Sequence, residues 1–545
     1  MPPILPISGE EFLHYFRQCT PPRGWPPVLA VANSGGPDST CLLYLLATLL
    51  KNTVDRDELP SEVVSVHVNH DLQKPSVTMA EVAEGTARTL GVKHLVTKVQ
   101  WGAPPFPPRP AAGAPIEEIA RYARHYALFR AMSESRAEAI TYGHHADDQV
   151  ETVVMRLAKG SGSHGLAGIR PVRRWGMGEA TPLADFGLEG MRRWIVRPLL
   201  GVSKGRILAT CEANCLPYTN DPTNFQPDLT IRNAIRHLIN GTGNHESSAI
   251  TGGAMLDEFP HLREALRTLR DLAARSERHG NVWEAVSVLA QRAHSSFFSV
   301  TTWINQSVLP SPPSTLLLPS KELLKITDGD VRRALVRRVL RFVSPRPWGS
   351  LSAEVGGSRT HLDHAVSKAW GYEDKKIRRS FSSGSDVLWV PHVLRSDGLV
   401  KEQGQDLTNG EPLWLVQRAP PFLKNIHLRK DKSDALVLDI TDYVAGRLPL
   451  EILWDNRFGI ELDPAVLPDH VVGALNCPGS SARVTIQPHT KWYLPRLVLS
   501  CPDQPDKVLA DFHWNITSWK HKRPANVHSD PQWVRMAFVR SWDAV

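Results

Sequence analysis

At 545 residues the chain is too long for a single hydrophobic core, and two to four domains are expected. A formal net charge of +7 and a pI near 9.0 suit a polyanionic partner. Six cysteines in this length exclude a disulfide framework, and no stretch approaches the roughly eighteen uninterrupted apolar residues that would cross a membrane.

In chain order, the segment before Gly24 reads as a short amphipathic helix with Phe12, Tyr15 and Phe16 at helical spacing, packed on a sheet and carrying no chemistry. With Glu10 and Glu11 and no arginine-rich face it is a poor organelle presequence. The stretch VLAVANSGGPDSTCLLYLLATLL follows: an apolar run over Val28 to Ala32 with the composition of a buried parallel strand, a break at Ser34-Gly35-Gly36-Pro37-Asp38-Ser39, then an apolar helix. Gly35 and Gly36 let the backbone turn its N–H groups toward an anion, Ser34 and Ser39 add hydroxyls, and Pro37 suits a first helical position. A di- or triphosphate fits this loop; Asp38 would repel a bare phosphate and so implies magnesium between the two. The loop is neither a Walker A sequence nor a dinucleotide fingerprint.

Glu62 to His70, EVVSVHVNH, is a second buried strand; a helix over Val77 to Leu90 leads to a third strand at His94 to Val99. Alternating strands and helices predict an α/β, doubly wound parallel sheet, with ligands beyond the carboxyl ends of the strands, where Asn69 and His70 join Ser34. Trp101 to Pro115, rich in proline and glycine, reads as an exposed, semi-rigid insertion. The helix IEEIARYARHYALFR should place Ile116, Ile119, Ala120, Ala123 and Ala127 on one face and Glu117, Arg121 and Arg124 on the other, where Glu117 and Arg121 form a solvated ion pair or the two arginines serve phosphates.

The strand Glu138 to Gly143 ends in HHADDQVET, with His144, His145, Asp147 and Asp148 at a helix start and Glu151 one turn after Asp147. Metal-bridged ATP and a two-metal hydrolase site both fit these residues; the Ser34–Ser39 loop favours ATP. Lys159 to Arg170 is a basic, glycine-rich loop, suited to a phosphate or to a flexible connection.

SGGPDS resembles the pyrophosphate loop of the N-type ATP pyrophosphatases. Together with HVNHDLQ, GHHADDQVET, KGSGSHGLAGI, RPLL at Arg197 to Leu200, and DPTN with RNAIR, it resembles the tRNA(Ile)-lysidine synthetase family over about the first 240 residues. The resemblance implies a five-stranded parallel sheet in an N-terminal ATP pyrophosphatase domain, followed by helical and C-terminal domains that hold tRNA. It implies a ligase that adenylates the wobble cytidine of tRNA(Ile) with a CAU anticodon and joins free L-lysine to carbon 2, releasing AMP and pyrophosphate. Ser34, Gly35, Gly36, Pro37, Asp38, Ser39, Asn69 and His70 would then bind ATP, and Asp38 and Asp147 would hold magnesium. Asp38, His144, Asp147 and Glu151 would carry the chemistry, with His144 accepting the lysine proton, and Glu117, Arg121, Arg124, Arg232, Asn233 and Arg236 would line the lysine and tRNA pocket. The chain departs from the family at Gln73, at His125, and in a longer proline-rich insertion.

The expected domains are 1–245, catalytic; 246–345, helical and tRNA-binding; and 346–545, mixed and β-rich. Gly241 to Gly253 reads as the linker, and arginines on DGDVRRALVRRVLRFV face either solvent or RNA. Trp492, Trp514, Trp519 and Trp533, among Lys491 and Lys520 to Arg523, are core residues or stack on loop bases. Two other readings stand beside the ligase. A tRNA thiolase of the same superfamily would need paired cysteines, which Cys41 lacks at short spacing; a nucleotide sensor would not need three carboxylates. No membrane partner is expected, and the compartment is cytoplasmic or, in a eukaryote, mitochondrial.

Overall fold

A computed structural model describes residues 3–541 except 23, 54–57, 73–75, 112–115, 159–166, 178–182, 221–234, 237–285, 287–298, 351, 355–357, 372–377, 404–409, 421–435, 478, 503 and 513–531, and except the side chains of 76, 117, 158 and 183–185. The chain forms two units, the first of Met1–Trp175 and Arg192–Ser295, the second of Gly176–Met191 and Ser296–Asp543.

The first unit carries, in order, α1 (Gly9–Arg17), β1 (Val28–Ala32), α2 (Pro37–Asn52), β2 (Glu62–Asn69), α3 (Ser76–Leu90), β3 (Lys93–Lys98), α4 (Ile116–Ser135), β4 (Ala139–Thr141), α5 (Ala146–Ala158) and β5 (Val172–Arg174). After α6 (Leu183–Arg192) come β6 (Trp194–Val196) and α7 (Lys204–Ala213). The strand order is β3-β2-β1-β4-β6-β5. Five neighbours run parallel, as the family resemblance implied, and β5 adds an antiparallel sixth at the edge. β1 is central, pairing β2 through Val31 and Ser65 and β4 through Val31 and Thr141, so Leu29, Ala30 and Val31 are wholly buried. Strand order reverses between β1 and β4, the switch point at which such sheets bind ligands.

α1 buries Phe12 and Phe16, and Phe16 stacks on Trp25 at 4.1 Å. On α4 Ala123 and Ala127 are buried as expected, whereas Ile116, in the first turn, is 52% exposed. The described part of the insertion, 101–111, is mostly exposed, as expected, but anchored at Phe106, which is buried and meets Tyr126 edge-on at 6.3 Å. The insertion's aromatic residues find partners that its prolines and glycines alone do not predict.

The second unit contains β7 (Leu316–Pro319), α8 (Gly329–Val343), α9 (Arg359–Trp370), β8 (Phe381–Gly384), β9 (Val387–Leu394), β10 (Val400–Glu402), β11 (Glu411–Arg418), β12 (Leu438–Asp439), β13 (Leu450–Trp454), β14 (Phe458–Leu462), β15 (Arg483–His489), β16 (Leu494–Ser500), β17 (Lys507–Asp511) and β18 (Val534–Phe538). Antiparallel sheets β10-β9-β11-β7 (with β8 on β9), β12-β15-β16-β17 and β13-β14-β18 make it β-rich, as expected. Residues 176–191 belong here, and Met177, Leu188 and Met191 pack with Trp348.

Two expectations on this half are narrowed. Arg333 pairs with Asp330 and Asp363, Arg341 with Glu354, and Arg338 is buried, so these three α8 arginines have partners within the unit. Trp492 and Trp533 are core residues at 5% and 4% exposure, while Trp514, Trp519 and Lys520 to Arg523 lie outside the described residues. Among the described residues no helix is long and apolar enough to cross a membrane.

Candidate active site

The loop after β1 is built on Asn33, a buried residue that the sequence reading passed over. Its amide donates to Ser65 Oγ (3.1 Å) and the Ala83 carbonyl (3.3 Å), and its Oδ1 accepts from Gly35 N (3.1 Å) and Ser39 Oγ (3.3 Å). Its backbone carbonyl accepts from His67 Nδ1 at 2.9 Å. Gly35 has φ +79°, and a Cβ there would meet the Met79 carbonyl at 2.5 Å, so glycine is required on both counts. Ser39 Oγ accepts from Ser34 N at 3.1 Å and donates to the Gly36 carbonyl at 3.1 Å, bracing the turn. Gly36 is the N-cap of α2 with Pro37 next, so the first N–H groups of α2 point out of the loop without intrahelical acceptors.

The loop after β4 closes on this one. A Cβ on Gly143 would lie 2.8 Å from the carbonyl carbon of Asp38, so backbone meets backbone there. The start of α5 is fixed by Ala146 N donating to the Val202 carbonyl (2.8 Å) and by Asp148 accepting from His145 N (3.0 Å). α7 begins at Lys204, whose backbone N–H donates to Asp147 Oδ1 at 3.3 Å while its Nζ donates to Asp38 Oδ1 at 2.5 Å. Three helix starts, on α2, α5 and α7, thus converge on Asp38 and Asp147. Their positive ends, together with the first N–H groups of α2, which lack intrahelical acceptors, make this spot suited to phosphate.

His145, not His144, stands among the carboxylates. Its Nε2 is 3.6 Å from both Asp38 Oδ1 and Asp148 Oδ2, and its Nδ1 accepts from Asp147 N at 3.2 Å. His144 lies instead against Tyr142, and its Nδ1 accepts from Arg197 Nε at 3.2 Å. Arg197 also donates to the Arg170 carbonyl at 2.8 Å; its burial and the neighbouring Arg173 bring its pKa down to about 9. Around His125 gather Arg173, Arg124, Arg121 and Arg197, and burial together with these charges holds that imidazole down to about 3. This is a cationic cluster beside an acidic one.

At the end of β2, His70 Nε2 accepts from Arg124 Nε at 3.2 Å, and burial together with that guanidinium lowers its pKa to about 3. A neutral His70 whose Nε2 accepts carries its proton on Nδ1, a buried atom without a hydrogen-bond partner among the described residues. The insertion holds this turn: Trp101 Nε1 donates to the His70 carbonyl (2.8 Å) and Arg109 to that of Asp71 (2.7 Å). Asn69 accepts from Asp71 N at 2.9 Å and caps the strand end. Glu151, wholly buried, accepts from Arg236 Nε at 2.7 Å. Arg232, Asn233 and the side chain of Glu117 lie outside the described residues, as do residues 159–166 of the glycine-rich loop. Its remaining end is pinned to α5, where Gln149 Nε2 donates to the Ile169 carbonyl at 2.8 Å.

Cys41, without a cysteine partner along the sequence, has one in space: its thiol lies against that of Cys211, both wholly buried in the first unit's apolar core. Contact with Cys211 and burial push the Cys41 thiol up while the same contact draws the Cys211 thiol down, and both are wholly buried, closed to the sulfur donor that a transfer would need.

Among the described residues no three His, Cys, Asp or Glu side chains form a ready metal cage. A magnesium ion held by one or two carboxylates and completed by phosphate oxygens and water needs none, and Asp38 and Asp147 fit that role.

Residues 15–242 match the family described as the PP-loop domain. The chain is 33% identical to the tRNA(Ile)-lysidine synthase of Pseudomonas fluorescens, over 77% of this chain and 86% of that protein. It is 33% identical to the Pseudomonas aeruginosa enzyme of the same name, over 68% and 70%. With the Bradyrhizobium protein of that name it shares 36% identity over 42% of this chain and 54% of the relative, so that match spans about half the relative's length.

Proposed function

We infer the activity from one premise: the chain belongs to the tRNA(Ile)-lysidine synthase family. It is a ligase that uses ATP to adenylate the wobble cytidine of an isoleucine tRNA with a CAU anticodon at the carbon-2 carbonyl. Free L-lysine then displaces AMP, giving lysidine, AMP and pyrophosphate. The observation that carries the ATP half is the convergence of three helix starts on Asp38 and Asp147 at the β1/β4 switch point.

In this reading Ser34 to Ser39 and the α2 N-terminus bind the β and γ phosphates and set the α-phosphate in line for attack by the carbonyl oxygen. Magnesium bound to Asp38 and Asp147 would neutralise charge on the phosphates. His70 Nδ1–H donates to an acceptor atom of the nucleotide, and Arg121, Arg124 and Arg197 give the cationic cluster an affinity for substrate anions. Lysine must attack as the free amine, so its proton has to go to the protein. His144 and His145 both use Nδ1 as an acceptor, which leaves the proton on Nε2 of each neutral ring. The acceptor we assign is therefore the carboxylate cluster, with Asp148 as its member on His145, rather than His144.

The test is incorporation of labelled lysine into tRNA(Ile) transcripts, with AMP and pyrophosphate release dependent on that tRNA. Release of ADP and phosphate, or AMP formation without tRNA, would refute it. Sulfur incorporation in place of lysine would favour the thiolase reading, against which the buried Cys41–Cys211 pair speaks.

A further inference from the structure

Lys204 contacts two carboxylates through two different atoms. Its backbone N–H, the first of α7, is fixed on Asp147 Oδ1 at 3.3 Å, and its flexible side chain carries Nζ to Asp38 Oδ1 at 2.5 Å. Nζ thereby occupies the contact on Asp38 that a divalent cation would need. Two cations cannot share one carboxylate oxygen at such range without strong repulsion. The backbone anchor survives any movement of the side chain, whose Nζ and Asp38 are each one-third exposed and so free to part.

We propose that Lys204 is a phosphate-binding, positioning residue that exchanges carboxylate for phosphate. Without nucleotide, Nζ neutralises Asp38 and holds α2 and α7 in register. When a nucleoside triphosphate enters with its divalent cation, the cation takes Asp38 and Nζ turns to the phosphates that arrive at the same three helix starts. The lysine thus suppresses metal binding in the absence of nucleotide and supports nucleotide binding in its presence. This rests on the ATP half of the function inferred above.

The exchange predicts effects of opposite sign, which a merely structural lysine would not give. Manganese binding to the full-length protein, read by electron paramagnetic resonance without nucleotide, should tighten about tenfold in Lys204→Gln, because the competing cation is gone. Binding of a non-hydrolysable ATP analogue with magnesium, read by calorimetry, should weaken about tenfold or more in the same variant and recover in Lys204→Arg. Thermal melting checks that each variant is folded. A loss of both affinities, or no change in either, overturns the exchange. A wild-type chain that binds no ATP analogue overturns the functional reading itself, a result distinct from wild-type binding that Lys204→Gln leaves unchanged.

Discussion

Replacing Gly143 by alanine probes the contact between the two loops directly. The added Cβ would stand 2.8 Å from the Asp38 carbonyl carbon, 2.9 Å from its oxygen and 3.1 Å from its Cβ, all parts of the chain that cannot swing aside. Reaching ordinary contact at 3.4 Å requires the α2 and α5 starts to separate by about 0.6 Å. Overpacking of this kind costs about 1–3 kcal/mol, a fall of several degrees in the melting temperature of a unit this size. The catalytic cost should be larger in proportion, since a misplacement near 1 Å can lower a rate about 10²-fold and Asp38 and Asp147 move apart together with their loops. AMP formation should drop roughly ten- to a hundredfold while the melting transition remains cooperative. Gly85→Ala is the control: it lies inside α3 with nothing within 4 Å of its added Cβ. It should stabilise by about 0.5–1 kcal/mol and leave turnover unchanged. Gly143→Ala with wild-type AMP formation would refute the idea that this backbone contact sets the distance between the carboxylates.

Asp38→Asn keeps the volume of a side chain one-third exposed, so the fold should lose less than about 1 kcal/mol, while AMP formation falls at least about 10²-fold; a variant that still turns over would remove Asp38 from the chemistry. His70 and His125 are held down to about 3 in the fold against about 6.5 unfolded, so between those values only the unfolded chain binds the proton. Stability present above about pH 6.5 is therefore lost as pH falls through that window, on the order of 1 kcal/mol per histidine per pH unit; denaturant titrations between pH 7.5 and 5 should show this slope, and His70→Gln or His125→Gln should flatten it. For tRNA, replacing Lys520, Lys522 and Arg523 by Gln in the full chain should reduce the slope of log affinity against log salt by about 2, and an unchanged slope would exclude these residues from phosphate contact.

The parallel sheet was legible because its signals are local and redundant. Each strand is a short apolar run, and each loop break carries glycine, proline or a polar cluster, so a shift of one or two residues at a boundary left the architecture intact. The antiparallel β5 was not legible: Val172 to Arg174 is three residues, two of them arginines, and only its pairing with β6 makes it a strand. Arginine-rich α8 hides its partners in a similar way. Its sequence gives charge and spacing, but Asp363 and Glu354, which engage Arg333 and Arg341, lie 13 to 30 residues further on and carry no periodic signal.

The site divides in the same way. Asp38, Asp147 and Glu151 could be named because carboxylates after strands in a nucleotide fold have few other uses. Lys204 could not, since a lysine at the start of a helix is among the commonest surface residues. What marks it is Ser203 before it as N-cap and RPLL a few residues upstream, which together set α7 to begin beside α5. The two histidines show the limit most sharply. They are adjacent, and a strand end that turns into a helix must send them apart. The sequence says only that two histidines stand at this strand end; the fold sends one to Arg197 and the other to the carboxylates. Val202, which accepts from Ala146 N, fixes the start of α5 and hence which histidine goes where, and it comes from a segment more than fifty residues downstream. A motif alone therefore does not separate the imidazole on Arg197 from the one among the carboxylates.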